Sequence, residues 1–426
     1  SKLIKILIVN ITKKKLIKIP VAVIGAGIAG LVTSYYLKKR NIDHIIVERG
    51  EVANTWINER WDNFYLVNPN WAIKIPEFGF GTSQFPSKNP DDFLSKNQTI
   101  ELIKSYSKFI GSKIFEYESV NIIEKHKNKY ILDTSKRMII ADNVVLSTGA
   151  FGNYKVPKIS LNINQKIFQI HSSEYKNFNQ LPPGGVMVVG SGQSGAQIAE
   201  DLLINGMDVS LALSKCGRRL RSYRGKDSSW WNYKMGLFDK TVDDVPFENR
   251  WKCSPHTSGA NGGHEINLID LSEKGLNLFG SVKDSKDNQL IFNDNLIENL
   301  KFSDDYALNW AKNVDEFIKK NNLDAPIEKI SEDIRLKSFE NPKSLELNIM
   351  PKIKSIIWAT GFKYNYDWID LNITNERGFP VHKRGVTNYD GFYFMGLQWM
   401  HTSKSAQFIG VGEDAEFIVN KISSRI

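Results

Sequence analysis

The sequence is poor in cysteine, and this limits the chemistry that it can support. Its 426 residues include two cysteines, Cys216 and Cys253, and neither stands in a CxxC motif or at a ligand-like spacing from histidine. No metal site and no disulfide framework are therefore expected, and a reducing cytoplasm is the expected location.

Long hydrophobic runs are also missing. The longest uncharged stretch of the lysine-rich N-terminus covers 6–12, whereas a membrane-spanning helix needs roughly 20 residues. We expect no integral membrane span. Residues 1–18 are expected to form an N-terminal extension, either an extra strand or a frayed segment, with an interfacial membrane role as the alternative.

Nucleic-acid recognition motifs are absent despite a formal net charge of +9. The lysines are scattered along the chain, and no aromatic and basic residues alternate in the way that nucleic-acid surfaces require. The positive charge therefore favours anionic cofactors, and no nucleic-acid partner is expected.

What the sequence does contain is one local pattern used twice. The segments 19–50 and 184–214 each read as a strand, a glycine-rich turn, a helix and a second strand. The chain is long enough for two or three domains, and its 41% apolar and 24% charged residues are typical of a globular protein. The pattern predicts an α/β fold with two Rossmann-type dinucleotide-binding domains, each of three layers around a mostly parallel sheet.

The order of the elements predicts that one domain is inserted into the other. Two further strands run into Thr148-Gly149 and Thr360-Gly361, one after each βαβ unit, and breaker-rich crossovers stand at 180–185 and 340–344. Segment 303–321 has helical spacing and belongs to the inserted part. The expected first domain is split and comprises 19–180 and 345–426. The expected inserted domain covers 181–344, and the extension covers 1–18.

The first glycine turn, at 25–30, matches GxGxxG directly after a buried strand and at the start of a helix. Gly25 permits the tight turn, Gly27 lets a pyrophosphate approach the backbone, and Gly30 lets the helix pack closely on the strand. Glu48 closes the next strand about 20 residues on, where a carboxylate accepts hydrogen bonds from ribose. A chance glycine turn is the alternative, but it does not account for the strand, helix and acid together.

The second glycine turn, at 190–195, repeats the motif, but the strand that follows ends differently. Ser214 and Lys215 stand where the first unit has its acid, with Arg218 and Arg219 just beyond. An acid would repel a 2′-phosphate, whereas hydroxyl and cationic groups bind it, so this site is expected to prefer NADPH over NADH. The alternative is that these cations belong to a solvated loop.

The glycine pattern alone does not separate FAD from a second nicotinamide dinucleotide. The paired motifs, Trp56, the run from His171 to Tyr175 and the unit Ala359-Thr360-Gly361-Phe362 resemble the flavin-containing monooxygenase family, the group B flavoprotein monooxygenases. The family's identifying FxGxxxHxxxY/F is incomplete, because Gln165 and Ile167 replace its Phe and Gly. The HxxxWP ending of Baeyer–Villiger monooxygenases is absent. The chain is also similar to a bacterial subgroup of FAD/NAD(P)-binding oxidoreductases.

The resemblance implies an FAD-dependent NAD(P)H oxidoreductase with FAD at the first turn and NADPH at the second. It implies a monooxygenase in which reduced flavin and O2 form a C4a-(hydro)peroxide that oxygenates a nitrogen, sulfur or carbon of a small molecule. The residues expected to contact the cofactors are Gly25, Gly27, Ile28, Ala29, Gly30, Glu48, Arg49, Trp56, Thr148, Gly190, Gly192, Gln193, Ser194, Gly195, Ser214, Lys215, Arg218, Thr360 and Gly361.

Asn68 and His171 are the candidate catalytic residues. Asn68 falls where the family carries an asparagine beside the flavin, although Asn70 is an equally near neighbour and loop asparagines commonly form turns. His171 is expected to hold the interdomain linker and orient NADP+ without transferring protons, with a structural role as the alternative. His256 and His264 bracket a glycine-rich stretch suited to a lid, and their spacing disfavours a metal.

Two other functions remain open at this stage. One is an FAD/NADPH reductase or dehydrogenase that inserts no oxygen, and the missing CxxC argues against its thiol-reducing form. The other is a non-enzymatic dinucleotide-binding protein. Aromatic residues cluster after both motifs and favour an apolar or aromatic substrate, while the sequence leaves the oligomeric state open, with a homodimer as one option.

Overall fold

The structure is a computed structural model that describes residues 14–149, 153–286, 288–347 and 353–426. Of the expected extension, 1–13 lies outside the described residues, and 15–18 form the start of the first strand.

Within these ranges the strands are β1 Lys15–Ile24, β2 His44–Val47, β3 Ile114–Phe115, β4 Val120–His126, β5 Lys129–Thr134, β6 Arg137–Leu146, β7 Phe168–His171, β8 Gly185–Val189, β9 Val209–Ala212, β10 Ser222–Tyr223, β11 Lys226–Asp227, β12 Thr257–Ser258, β13 His264–Glu265, β14 Asn277–Phe279, β15 Val282–Lys286, β16 Gln289–Phe292, β17 Ser344–Glu346, β18 Ile353–Trp358, β19 Ile369–Asp370 and β20 Phe392–Phe394. The helices are α1 Ile28–Lys39, α2 Asn54–Asn58, α3 Lys96–Ile110, α4 Gln193–Ile204, α5 Ser228–Lys234, α6 Phe247–Arg250, α7 Leu268–Glu273, α8 Leu296–Asn321 and α9 Val411–Ser423. The helix expected over 303–321 is thus present, and it starts earlier.

The first sheet surrounds the first glycine turn. Its order is β19-β4-β5-β6-β1-β2-β3, and β20 pairs with the second half of β6. The strands β3, β2, β1, β6 and β20 are parallel, while β4 and β5 add antiparallel pairs. The end of β1 is fully buried because β2 and β6 flank it and α1 and α9 pack together beside the sheet.

The second sheet surrounds the second glycine turn and is parallel throughout, in the order β14-β9-β8-β18-β7. A small antiparallel sheet, β15-β16-β17, stands beside it. The expected α/β class with two Rossmann-like units on mostly parallel sheets is confirmed. The parallel strands are buried on both faces, which explains why β8 reads as an unbroken apolar run and why β9 is apolar apart from Ser210.

The strand pairing places the two crossovers differently from the sequence expectation. β7 and β18, which the expected borders assign to the first domain, both pair within the second sheet. The backbone N–H of Lys155 donates to Gly361 O, and that of Lys363 donates to Asn153 O, each at 2.8–2.9 Å. The outgoing and returning segments therefore run side by side at 153–155 and 361–363. The division into a split and an inserted domain stays a prediction, and we propose these two segments as its borders.

Each glycine turn is a point of close backbone contact. Gly25 has φ +107°, and a Cβ there would lie 2.6 Å from the carbonyl oxygen of Ser147, which follows β6. A Cβ on Gly30 would lie 2.0 Å from Gly25 O, whereas one on Gly27 would meet nothing within 4 Å. The first and third glycines are therefore required by packing, and the second leaves open space.

We expect Gly30→Ala to lower the free energy of unfolding by about 3 kcal/mol, because the added methyl group meets a backbone oxygen that cannot rotate away. Gly27→Ala is the matched control, and it should cost about 1 kcal/mol or less, the loss of a favourable N-cap residue. Urea denaturation of the cofactor-free variants measures both values. Equal destabilisation by the two substitutions would contradict the conclusion that packing requires a glycine at position 30 but not at position 27.

Candidate cofactor and active site

The first glycine turn opens onto the start of α1. Gly27 stands at the N-cap position with extended backbone and supplies no side-chain cap. The first N–H groups of α1 and the positive end of its dipole thus face the space beside Gly27. Ile28 and Ala29 form the first helical turn and are partly buried against the core. Open space and uncapped N–H groups together fit a pyrophosphate.

Glu48 connects the end of β2 to this turn. Its carboxylate accepts the N–H of Ala26 at 2.7 Å and that of Gly50 at 2.9 Å, and the residue is 7% exposed. Each carboxylate oxygen retains a further lone pair, so contact with a ribose stays a prediction compatible with this geometry. Arg49 points outward and pairs with Glu59 at 2.7 Å.

Trp56 and Thr148 lie on two other sides of the first turn. The Trp56 ring packs edge-on against Phe64 with centroids 5.6 Å apart, and it lies 6.1 Å from the ring of Phe408. Thr148 follows β6 and is exposed. Their contact with a cofactor stays a prediction.

The second turn repeats the geometry of the first. Gly190 has φ +101°, and a Cβ there would lie 2.4 Å from the carbonyl oxygen of Ala359, which follows β18 as Ser147 follows β6. A Cβ on Gly195 would lie 1.8 Å from Gly190 O. Gly192 again provides an uncapped helix start, now for α4, with Gln193 and Ser194 half-buried in its first turn. One difference is that Cys253 Cβ lies 3.6 Å from the place of a Cβ on Gly192.

The cations after β9 separate into two environments. Lys215 is 58% exposed, and its ammonium pairs with Glu298 at 2.7 Å, while Ser214 is exposed beside it. Arg218 is only 7% exposed, and its guanidinium pairs with Asp304 and Glu265. Arg218 is thus held by two carboxylates inside the second domain, and its expected contact with a cofactor stays a prediction that requires those pairs to break.

Thr360, Gly361 and His171 hold the two crossovers together. The hydroxyl of Thr360 donates to Lys155 O, and Gly361 O accepts from His171 Nε2 at 3.1 Å. The other ring nitrogen of His171 lies 2.9 Å from Ser173 Oγ, and Tyr154 stacks on the ring. Burial lowers the pKa of His171. A neutral ring with both nitrogens engaged fits the expected linker role, and its part in catalysis stays a prediction.

Asn68 lies where the first domain meets the inserted one. Its amide donates to Gln407 Oε1 at 3.0 Å, and its carbonyl oxygen accepts from Ser229 Oγ at 3.3 Å. Arg219 donates in turn to Ser229 Oγ at 2.6 Å and to Ser228 Oγ at 2.7 Å. Burial lowers the pKa of Arg219 to about 10, with help from nearby Arg221. We call Asn68, Arg219, Ser228, Ser229 and Gln407 the junction cluster.

The structure separates Asn68 from its neighbour Asn70. Asn70 is fully buried, and its amide donates to Asn89 O at 2.9 Å. It therefore holds a loop of the first domain. Asn68 is only partly buried and keeps a second N–H and a second lone pair for other partners.

The remaining candidate histidines are engaged within the second domain. His256 is buried with Nε2 against Ser191 O, and burial lowers its pKa to about 4. His264 lies 2.9 Å from the Glu200 carboxylate, and this hydrogen bond raises its pKa. Over the described ranges, no group of three His, Cys, Asp or Glu residues is arranged to hold a metal, and no helix is long and apolar enough to cross a membrane.

Sequence reasoning missed part of the junction cluster. The sequence pattern indicates only a phosphate-binding role for Arg219, and it does not single out Ser229 or Gln407 as site residues. Each belongs to a polar stretch of one domain, and only the folded chain shows that these stretches meet. The one available signal was that Arg219 and Ser229 follow the second glycine motif, where pocket-forming residues are expected.

The comparisons with known proteins agree with this geometry. Residues 22–229 match the pyridine nucleotide-disulphide oxidoreductase family. The CzcO oxidoreductase of Bacillus velezensis is 32% identical over 404 residues, 94% of this chain and 98% of that protein. The probable indole-3-pyruvate monooxygenase YUCCA1 of Arabidopsis thaliana is 29% identical over 193 residues, 42% of this chain and 44% of that protein.

Among solved structures, a flavin-containing monooxygenase from Stenotrophomonas maltophilia superposes with a TM-score of 0.65 at 15% identity, over 96% of this chain and 99% of that chain. At this identity the match establishes the fold. The sequence match to the Bacillus protein extends over nearly both full lengths, and its level of identity establishes more than the fold. The chain belongs to the CzcO family and is an oxidoreductase.

Proposed function

We propose that the protein is an NADPH-dependent flavoprotein monooxygenase that transfers one oxygen atom of O2 to a nitrogen, sulfur or carbon of a small molecule. The observation that carries the proposal is the junction cluster. It brings an asparagine with unused hydrogen-bonding capacity to the place where two dinucleotide-binding units meet, with polar groups of both units around it.

The cofactors are FAD and NADPH. FAD is bound at the first turn, with its pyrophosphate at Gly27 and the start of α1 and its ribose at Glu48. NADPH is bound at the second turn, with its pyrophosphate at Gly192 and its 2′-phosphate near Ser214 and Lys215. Bound flavin supplies the redox chemistry with NADPH and O2.

The chain's own residues position and shield the reactants. Asn68 donates its second amide N–H to a reacting oxygen or to the nicotinamide ribose, while Gln407 and Ser229 fix the plane of its amide group. Arg219 places a partly buried positive charge two hydrogen bonds away, where negative charge on a reduced cofactor is stabilised.

The substrate is proposed to lie against an apolar cluster next to Asn68. Trp71 packs there with Phe238 and Ile409, and its ring lies edge-on to Tyr233 with centroids 5.7 Å apart. The indole N–H of Trp71 is buried and has no hydrogen-bond partner among the residues that the structure describes. An unpaired buried donor in an apolar wall suits a small aromatic or apolar molecule that carries one acceptor.

The proposal is tested with purified protein supplied with FAD, NADPH and a panel of small aromatic amines and thioethers. We expect an absorbance band distinct from oxidised and reduced flavin after mixing with NADPH in air, and a product that carries one labelled atom from ¹⁸O2. Equal turnover without oxygen would replace the proposal with a reductase. A protein that stays colourless with added FAD would make it a dinucleotide-binding protein without this activity.

The preference for NADPH depends on Lys215. We expect Lys215→Ala to lower kcat/KM for NADPH about tenfold, which equals roughly 1.4 kcal/mol and is the size of one charge-assisted hydrogen bond. The value for NADH should stay unchanged because NADH has no 2′-phosphate. Lys301→Ala removes an equally exposed cation that pairs with Asp305 and is the matched control. An equal fall in kcat/KM for NADPH and for NADH would contradict the assignment of Lys215 to the 2′-phosphate.

Arg218 provides a second comparison for the same site. Because it is buried between Asp304 and Glu265, Arg218→Met should lower the free energy of unfolding by about 3–5 kcal/mol, the cost of an unpaired buried charge. Urea denaturation separates this loss from a loss of nucleotide affinity.

The role of Asn68 is tested by the amount of oxygenated product formed per NADPH oxidised. We expect Asn68→Ala to lower the rate of product formation about 100-fold, as loss of an oriented donor does in other active sites. It should also increase the hydrogen peroxide released per NADPH, while the unfolding free energy falls by only about 1–2 kcal/mol, the contribution of the two lost hydrogen bonds. Asn70→Ala is the control, and it should lower stability and leave the coupling ratio as it is. Unchanged coupling in Asn68→Ala would remove Asn68 from the site.

A further inference from the structure

The two cysteines of the chain, which lie 37 residues apart, meet beside the second glycine turn. The segment after β9 and the segment before β12 run parallel there, with Arg218 paired to His256 as an isolated bridge. The backbone N–H of His256 donates to Gly217 O at 2.7 Å, and that of Arg219 donates to His256 O at 3.0 Å. In this register Cys216 lies across from Ser254 and Lys215 across from Cys253, so the two cysteines are offset by one residue.

Each thiol lies against the backbone of the segment that carries the other cysteine. Cys216 Sγ lies 3.2 Å from Ser254 O, and Cys253 Sγ lies 3.2 Å from Lys215 O, so each sulfur reaches the backbone beside the other cysteine. A hydrogen bond between the two side chains lowers the pKa of Cys253, and the same hydrogen bond together with burial raises that of Cys216. Cys253 is exposed and Cys216 is buried. This is the arrangement of an attacking thiolate with a resolving thiol next to it.

The pair also touches the place where a nucleotide approaches. Cys253 Cβ lies 3.6 Å from the place of a Cβ on Gly192, the glycine whose missing side chain lets a pyrophosphate come close. The equivalent place at Gly27 is empty within 4 Å. In the thiol form the segment of Cys253 is held at this point by weak sulfur hydrogen bonds. Cys216 is fixed more firmly, since the Tyr306 ring packs against Gly217, the next residue.

We propose that Cys216 and Cys253 form a peroxide-oxidised disulfide site, and that the disulfide holds the Cys253 segment over Gly192 and weakens NADPH binding. This regulatory role rests on the proposed function, because hydrogen peroxide is the product when NADPH oxidation by O2 is not coupled to substrate. The site then lets that product slow further NADPH consumption.

The oxidation is balanced with hydrogen peroxide as the oxidant. The Cys253 thiolate attacks one peroxide oxygen, the O–O bond breaks, and the departing hydroxide takes a proton to become water, which leaves a sulfenic acid on Cys253. Cys216 sulfur then attacks Cys253 sulfur, the S–O bond breaks, and the departing oxygen leaves as a second water with the Cys216 proton. Two thiols lose two electrons, and one peroxide gains them. A dithiol reductant reverses the step.

The test uses the FAD-loaded protein and equilibrium titration with NADPH, without any turnover. After hydrogen peroxide treatment we expect both thiols to be lost from titration, the intact mass to fall by two hydrogens, and a peptide that joins the two cysteines to appear. The Kd for NADPH should rise at least about fivefold, the lower end of typical coupling between sites. Dithiothreitol should restore the starting value.

Cys216→Ser is the main control, because it leaves the exposed thiol in place without a partner, and peroxide should then leave its Kd for NADPH unchanged within twofold. If Cys216→Ser lowers stability because the position is buried, Cys253→Ser at its exposed position repeats the test. Peroxide should leave the Kd of this variant for NADPH unchanged as well. The proposal would be overturned if peroxide left the thiols unreacted, produced sulfinic acid without the joined peptide, or formed disulfides between two chains. It would also be overturned if the joined peptide formed but the Kd for NADPH stayed unchanged. Because no product is measured, these outcomes are independent of whether the protein is a monooxygenase.

Discussion

The contact on which the rest of the structure depends is the approach of each glycine turn to the strand beside it. At Gly25 the neighbour is the carbonyl of Ser147, and at Gly190 it is the carbonyl of Ala359. In both cases this neighbour is the first residue after a buried parallel strand, and the chain leaves towards the other domain a few residues later. The absence of a side chain at each turn therefore lets the end of a neighbouring strand pack directly against the turn, just before the chain crosses to the other domain.

Burial then decides which of the available charges can act on a ligand. Arg218 and Arg219 are adjacent in sequence, but the bridge between Arg218 and His256 turns Arg218 towards Asp304 on α8, while Arg219 faces the serines of α5. The first forms a closed ion pair. The second donates to the hydroxyl groups of Ser228 and Ser229 at the junction, and burial lowers its pKa. Lys215, three residues before Arg218, remains exposed to solvent.

The sequence predicted the parts of the structure that local patterns determine. The two glycine turns, the α8 helix and the buried parallel strands each follow from spacing within a short window, and all are present. The crossovers expected at 180–185 and 340–344 stay a prediction. The borders that we propose instead rest on long-range hydrogen bonds, such as that between Lys155 and Gly361, which no local pattern in the sequence reveals. The sequence also did not predict that Cys216 and Cys253 lie near each other, because their spacing matches no local motif.

Asn68 is joined to the second domain more weakly than the two crossovers are joined to each other. The crossovers are tied by backbone hydrogen bonds and by the buried His171, so they keep their arrangement. Asn68 is joined to the second domain by a single side-chain hydrogen bond of 3.3 Å to Ser229, and such a bond contributes only about 1 kcal/mol. Movement of the inserted domain about the paired crossovers would lengthen this bond. The same asparagine that we place beside the reacting oxygen would thus sense whether the two domains are closed around their cofactors.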